Sequence, residues 1–321
     1  MKEKSKYNGF AIALAWPQTY CKQPGSWYDP LACRLGIGKN HYYRVGHAAV
    51  VLIDIKSGKC HYFDFGRYHT PVQHGRVRSA ETDHELTIHS IPAFSDSKNT
   101  IVNFKEILSE IQHNKSCHGE GTLYASYCKV NFENALGKSN RMQEESPIPY
   151  GPFLRRGSNC SRFVNTVIRA GNPKLKYRFR LKYMVPLSPT PMNNVNALGK
   201  GIKLPAQLNE VPFSPTNRLD KNTLYSTLKA PVRNGTIPEN AQWLSGEGAG
   251  SWYVVEAQNS LLKVSRYSPE GKLECSHHYK NSKAQVTSPD NSFRITYPSN
   301  CNVVSFENWN IRLQFERIHP N

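Results

Sequence analysis

Gly157-Ser158-Asn159-Cys160-Ser161-Arg162-Phe163-Val164 reads as a loop tipping into a helix with a cysteine in its first turn. Ser158 or Asn159 can cap that helix, a side-chain oxygen taking one of the N–H groups that the first turn leaves unpaired. Beyond the cap, Phe163, Val164, Val167 and Ile168 recur at three- to four-residue spacing, an apolar stripe facing a core. Gly171 follows as the C-terminal signal and Pro173 as a stop. Cys160 therefore sits where unpaired N–H groups and the positive helix end favour a thiolate, the form that attacks. A cysteine by itself carries little weight, because most buried cysteines are inert small hydrophobes. What makes this one a candidate nucleophile lies upstream.

Val45 to Ile53 is a continuous apolar run around Gly46-His47, the mark of a strand covered on both faces. Lys56-Ser57-Gly58-Lys59 is turn chemistry, and Cys60 to Gly66 returns as the second strand of a hairpin. If Lys56 pairs with Lys59, Val51 lies opposite Asp64 and His47 opposite Tyr68. Alternation then places His47, Val51, Tyr62 and Asp64 on one face and His61 on the other. A cysteine nucleophile needs a base to take its proton and a third group to hold that base. His47 and Asp64 fit those roles. The plainer alternatives are a hydrogen-bonded core histidine and an aspartate paired with a nearby arginine.

The Gly46-His47 strand, the return through Asp64 and the Asn159-Cys160-Ser161-Arg162-Phe163-Val164 helix together resemble the circularly permuted NlpC/P60 branch of the papain-like cysteine hydrolases. In that branch the histidine strand precedes the cysteine helix, as here. Lecithin:retinol acyltransferase-like proteins, distant relatives, share the order. The resemblance covers roughly residues 10–185. It implies a thiol hydrolase or acyl transferase in which Cys160 attacks a carbonyl, His47 moves the proton and Asp64 orients His47. The third position varies within such families, so His61 and His69 compete with Asp64. The backbone N–H of Cys160 would supply half an oxyanion hole, with Tyr28 or Gln18 as candidates for the second donor.

Lys plus Arg outnumber Asp plus Glu by 41 to 24 in 321 residues, a net charge of +17. Such a surface attracts polyanions, nucleic acid among them, and suits a substrate carrying carboxylates, but charge names no partner. Eight cysteines show no C-x-x-C spacing. The Cys60-His61 and Cys275-Ser276-His277-His278 clusters lack partner pairs at ligand spacing, so neither metal nor cofactor is implied. A disulfide framework is not expected in a chain of this size, and the thiols are expected to be reduced. Phe10 to Trp16 reads as a buried strand rather than a signal-peptide core, despite Ala13-Leu14-Ala15. No stretch approaches the ~20 apolar residues of a membrane span. The cytoplasm is the expected compartment, with export of a processed form left open.

Residues 17–43 form a loop rich in aromatics, in which Trp27 and Tyr28 are expected to plug the core's edge. Ile101 to His113 is an amphipathic helix and Thr122 to Phe132 a strand. Lys174 to Tyr183 alternates basic with aromatic or aliphatic residues, which predicts an edge strand with one basic face. Residues 186–231 are proline-rich without periodicity. From Ser251 short strands recur between turns. The expectation is an α+β protein: a permuted papain-like domain over 1–185, an antiparallel sheet with a cysteine-bearing helix, then a linker or wrapping segment over 186–240 and a small all-β domain over 241–321. Its function would be cleavage of an amide in a peptide, peptidoglycan stem or acylated amine. The alternatives are a catalytically silent module binding an anionic ligand, or a lipid acyltransferase.

Overall fold

The computed structural model describes residues 7–186, 188–206, 212–258, 261–281, 289 and 292–319. Its centre is Gly9–Trp16, a strand buried along its whole length. Seven strands form the sheet around it, in the order Ile202–Leu204, Leu123–Val130, Gly9–Trp16, His47–Asp54, Lys59–Gly66, His74–Arg78 and Ile148–Pro149. Each neighbouring pair is antiparallel. Because the side chains of Gly9–Trp16 alternate, Ala11, Ala13 and Ala15 enter one apolar cluster and Phe10, Ile12 and Leu14 the other. The alanine face lets three helices approach closely: Phe132–Glu144, the cysteine helix Cys160–Ala170 and Pro191–Leu198. The opposite face is covered by Phe104–His113 through Phe104, Ile107, Leu108 and Ile111.

A second seven-stranded sheet runs Gln242–Leu244, Ser251–Gln258, Leu261–Tyr267, Leu273–Asn281, Arg312–Arg317, Val303–Glu307, Arg294–Thr296. Its outer strands come close to closing a barrel. Gln242 bridges them, accepting from Ile295 N–H at 2.8 Å and donating to the Phe293 carbonyl at 3.4 Å. This sheet docks on the first through buried charge. Arg266, 1% exposed, binds Asp83 at 3.0 Å and Glu85 at 2.8 Å. Arg67 binds Glu247 at 2.8 Å, and Cys301 N–H donates to the Thr82 carbonyl. Among the described residues no helix is long and apolar enough to cross a membrane.

Several expectations need correction. Lys174 to Tyr183 is not a strand but the helix Leu175–Tyr183. Charges at every second position wind around a helix instead of sharing a face, and Leu181 is its one buried residue. Its leucines, lysines and arginines are good helix formers, and Asn165 Nδ2 ties the helix down at the Leu181 carbonyl. The aperiodic stretch after 186 holds the helix Pro191–Leu198, started by a capping box between Thr190 and Asn193, and the edge strand Ile202–Leu204. The first sheet thus draws on residues beyond 185. Trp27 does not plug the core; it is 82% exposed.

Candidate active site

The cysteine helix begins as its sequence dictates. Asn159 is extended and its side chain accepts from Arg162 N–H at 2.8 Å, so Asn159, not Ser158, is the cap. The next residue is Cys160, at the end of the helix whose first N–H groups find no acceptor within it. His47 opens its strand directly after Gly46, which adopts φ +75°. A Cβ at Gly46 would lie 2.7 Å from the Trp16 carbonyl oxygen, so the chain can turn into the sheet there only with glycine. His47 then pairs with Trp16, and their rings stack at 5.8 Å.

The hairpin register differs from the expected one by two residues: Ala49, not Val51, faces Asp64, and Val51 faces Tyr62. The turn is longer than supposed, Asp54 pairing with Lys59 and its carboxylate accepting from Lys56 and Ser57 N–H. An even shift preserves which face each residue occupies. His47, Tyr62 and Asp64 therefore still share a face, while Cys160 arrives with the helix on the other side. They meet at the end of the sheet where the His47 strand begins.

There His47 Nε2 stands 3.4 Å from Asp64 Oδ2. The imidazole and the Cys160 thiol are close enough for each to shift the other's ionisation. Burial works against a charge on His47, but the adjoining Asp64 carboxylate and Cys160 thiol raise its pKa to about 9. Burial likewise works against a thiolate, yet His47, the Ser161 hydroxyl and the Ala48 N–H hold Cys160 below the ordinary thiol value. Asp64 is fully buried and held by Arg78, whose Nε donates at 2.9 Å and Nη2 at 2.5 Å. Tyr62 OH donates to the same carboxylate at 3.2 Å. Despite burial, Arg78 and His47 keep Asp64 well below the usual carboxylate range. Asp64 thus pairs with an arginine and also stands against the histidine.

The competing histidines lie elsewhere. His61 rests against Phe132 on the opposite face, and His69 hydrogen-bonds Ser251 Oγ at 3.0 Å and Arg76 at 3.1 Å. Gln18 lines neither cleft beside Cys160 and His47, and its Oε1 accepts from Thr122 N–H. Tyr28 lines the Cys160 cleft, buried, with a hydroxyl that makes no hydrogen bond of good geometry. Arg78 is one of several cations between Arg67 and Glu85, and nothing local in the sequence marks it; the pairing of Asp64 with Arg78 across neighbouring strands singles it out.

Two clefts converge on the pair. One, of about 560 Å³, has Cys160 in its wall among apolar side chains such as Tyr28, Ile37, Phe153 and Met192. The other, of about 490 Å³, has His47 in its wall with Lys22, Arg67, His118 and Glu120. Cys21, Lys22 and Tyr150 border both. His118 is kept neutral, its pKa pushed down to about 3 by burial and by Arg78. Among the described residues no group of three or more His, Cys, Asp or Glu side chains is placed to hold a metal ion.

No curated protein matches the sequence. The crystal structure of the type VI secretion system effector TseH is similar over 64% of this chain and 97% of that one, with 18% identity and a TM-score of 0.42. A family model described as the DUF6695 C-terminal domain matches residues 241–318. Another, described as type VI secretion system effector TseH-like, matches residues 11–177, which run from the central strand through the cysteine helix. That match spans more than half of the 321 residues, and the chain belongs to the type VI secretion system effector TseH-like family.

Proposed function

We propose that the protein is an exported thiol amidohydrolase of the papain-like, permuted NlpC/P60 type, with Cys160 as nucleophile, His47 as base and acid, and Asp64 as the group that orients His47. The observation that carries this reading is the line Cys160–His47–Asp64, 3.4 Å between the last two, set where two clefts meet. The thiolate attacks an amide carbonyl, and the Cys160 N–H stabilises the oxyanion. His47 gives its proton to the departing amine, leaving a thioester. It then takes a proton from water, which attacks the thioester and releases the acid with the thiol restored. An extended, peptide-like substrate suits the paired clefts, apolar groups beside Cys160 and charged groups beside His47. Membership of an effector family supports export in place of the cytoplasmic expectation.

The test is incubation of the full chain with peptide-crosslinked cell-wall polymer and with short peptides drawn from it. New amino groups and soluble fragments are expected, and none with Cys160→Ala. No new amine from either substrate overturns the reading. A second expectation follows from the ion pair. Iodoacetamide should alkylate Cys160 well below pH 8.5, the ordinary thiol value, and more slowly in His47→Ala. The rate constant kcat/KM should rise as Cys160 ionises and fall as His47 loses its proton, near pH 9. Third, Tyr28 is proposed as the second oxyanion donor. Tyr28→Phe should lower kcat by about 10²-fold, within the range for losing one such donor, with KM nearly unchanged. Equal kcat in the variant would exclude the assignment.

A further inference from the structure

We propose that Cys275 and Cys301 are an oxidisable pair that closes to a disulfide, latching the C-terminal sheet at the edge by which it docks. Cys275 lies on the Leu273–Asn281 strand and Cys301 in the turn before Val303–Glu307. Their sulfur atoms stand 2.7 Å apart, Cys301 donating to Cys275. That is inside non-bonded contact, and a small side-chain movement reaches the ~2.05 Å of a disulfide bond. No other pair of the eight cysteines is in such contact among the described residues. The backbone holds the pair in place: Cys301 N–H donates to the Thr82 carbonyl at 2.9 Å, and its own carbonyl accepts from Tyr279 OH at 3.1 Å.

The surroundings suit thiol exchange. The hydrogen bond from Cys301 lowers the Cys275 pKa, burial opposes this, and the Arg266 guanidinium adds to the lowering. Cys275 is thus the thiol that attacks first. Its thiolate displaces one sulfur of a disulfide oxidant, forming a mixed disulfide and releasing one thiolate. Cys301 gives up its proton and attacks the Cys275 sulfur, releasing the second. The protein loses two electrons and two protons, and the oxidant's disulfide becomes two thiols. The link would tie together groups at the docking edge, because Cys301 binds Thr82 while Arg266, beside the pair, binds Asp83 and Glu85. A reducing cytoplasm would keep the pair open and an oxidising envelope would close it. Only the place of oxidation rests on the export reading; the pairing itself does not.

The test uses the full chain carrying Cys160→Ser, so that the reactive thiol stays out of the chemistry. The protein is exposed to oxidised glutathione both folded and during refolding from denaturant, because both sulfurs are buried. Peptide mapping without reductant should show one linked pair, Cys275 to Cys301, and titratable thiols in denaturant should fall from seven to five. Adding reductant should lower Tm by about 3–6 °C, and Cys275→Ala or Cys301→Ala should remove that dependence. Seven remaining thiols after refolding, a link between other cysteines, or a Tm indifferent to reductant would each overturn the proposal. Neither readout depends on turnover.

Discussion

Cys160→Ala is expected to lower kcat by at least ~10⁴-fold on any substrate the wild type cleaves, with Tm little changed. In the proposed mechanism this thiol forms the covalent intermediate, and loss of a nucleophile in a comparable serine hydrolase costs ~10⁶ in kcat. Alanine fills most of the same space, and the Asn159 cap and the apolar stripe that hold the helix remain. His47→Ala should produce a loss of similar order. The double variant should be hardly worse than either single one, because nucleophile and base act as a unit. Steady-state rates on released amine, with thermal melts as the control for folding, measure this. Retained turnover in Cys160→Ala would sink the hydrolase reading. Unchanged, salt-sensitive binding of an anionic polymer with no turnover in the wild type would favour the silent module instead.

The second large effect is on stability. Arg78→Leu should destabilise the protein by about 3–5 kcal/mol, because it leaves the Asp64 carboxylate buried without its cation. In a chain of this size that corresponds to a fall in Tm of roughly 5–7 °C. The sign of the pH dependence distinguishes this from simple loss of packing. In the wild type the Asp64 pKa is depressed, so its stabilising contribution is present at neutral pH and lost as pH falls below the usual carboxylate range. Without Arg78 the desolvation is opposed by His47 and the Tyr62 hydroxyl but by no full permanent charge, and the carboxyl is protonated at higher pH. The gap between variant and wild type should therefore narrow as pH falls toward about 4, the ordinary Asp value. A gap constant from pH 8 to pH 4 would mean that Arg78 matters through its contacts with the Tyr68 ring and the Ser116 carbonyl instead. Activity should fall as well, since a carboxylate that moves no longer fixes the His47 ring.

Much of the candidate site is legible in local sequence. The cap, the stripe and the stop around Cys160 act within a few residues of one another, and they produce the same helix here as they would elsewhere. The face shared by His47, Tyr62 and Asp64 survives a wrong register, because side-chain direction along a strand depends only on parity. The strands from Ser251 onward are readable for the same reason, as alternation between turn residues is a local pattern. Lys174 to Tyr183 shows where such reading fails. Its alternation mimics a strand, but the stretch has no neighbour to pair with, and burial of Leu181 beside Asn165 leaves it helical.

By itself, then, the sequence determined the cysteine's helix, the histidine's strand and the face of Asp64, because caps, periodicity and alternation are short-range. Only the tertiary structure decided that Arg78 holds Asp64, that Tyr28 lines the Cys160 cleft while Gln18 lines neither, that two clefts meet at Cys160 and His47, and that Cys275 stands against Cys301. Those are contacts between residues far apart in the chain. They depend on which strands adjoin and how two sheets dock, and no local pattern encodes that. The burial that makes each such contact strong, by removing competing water, exists only once the whole chain has closed around it.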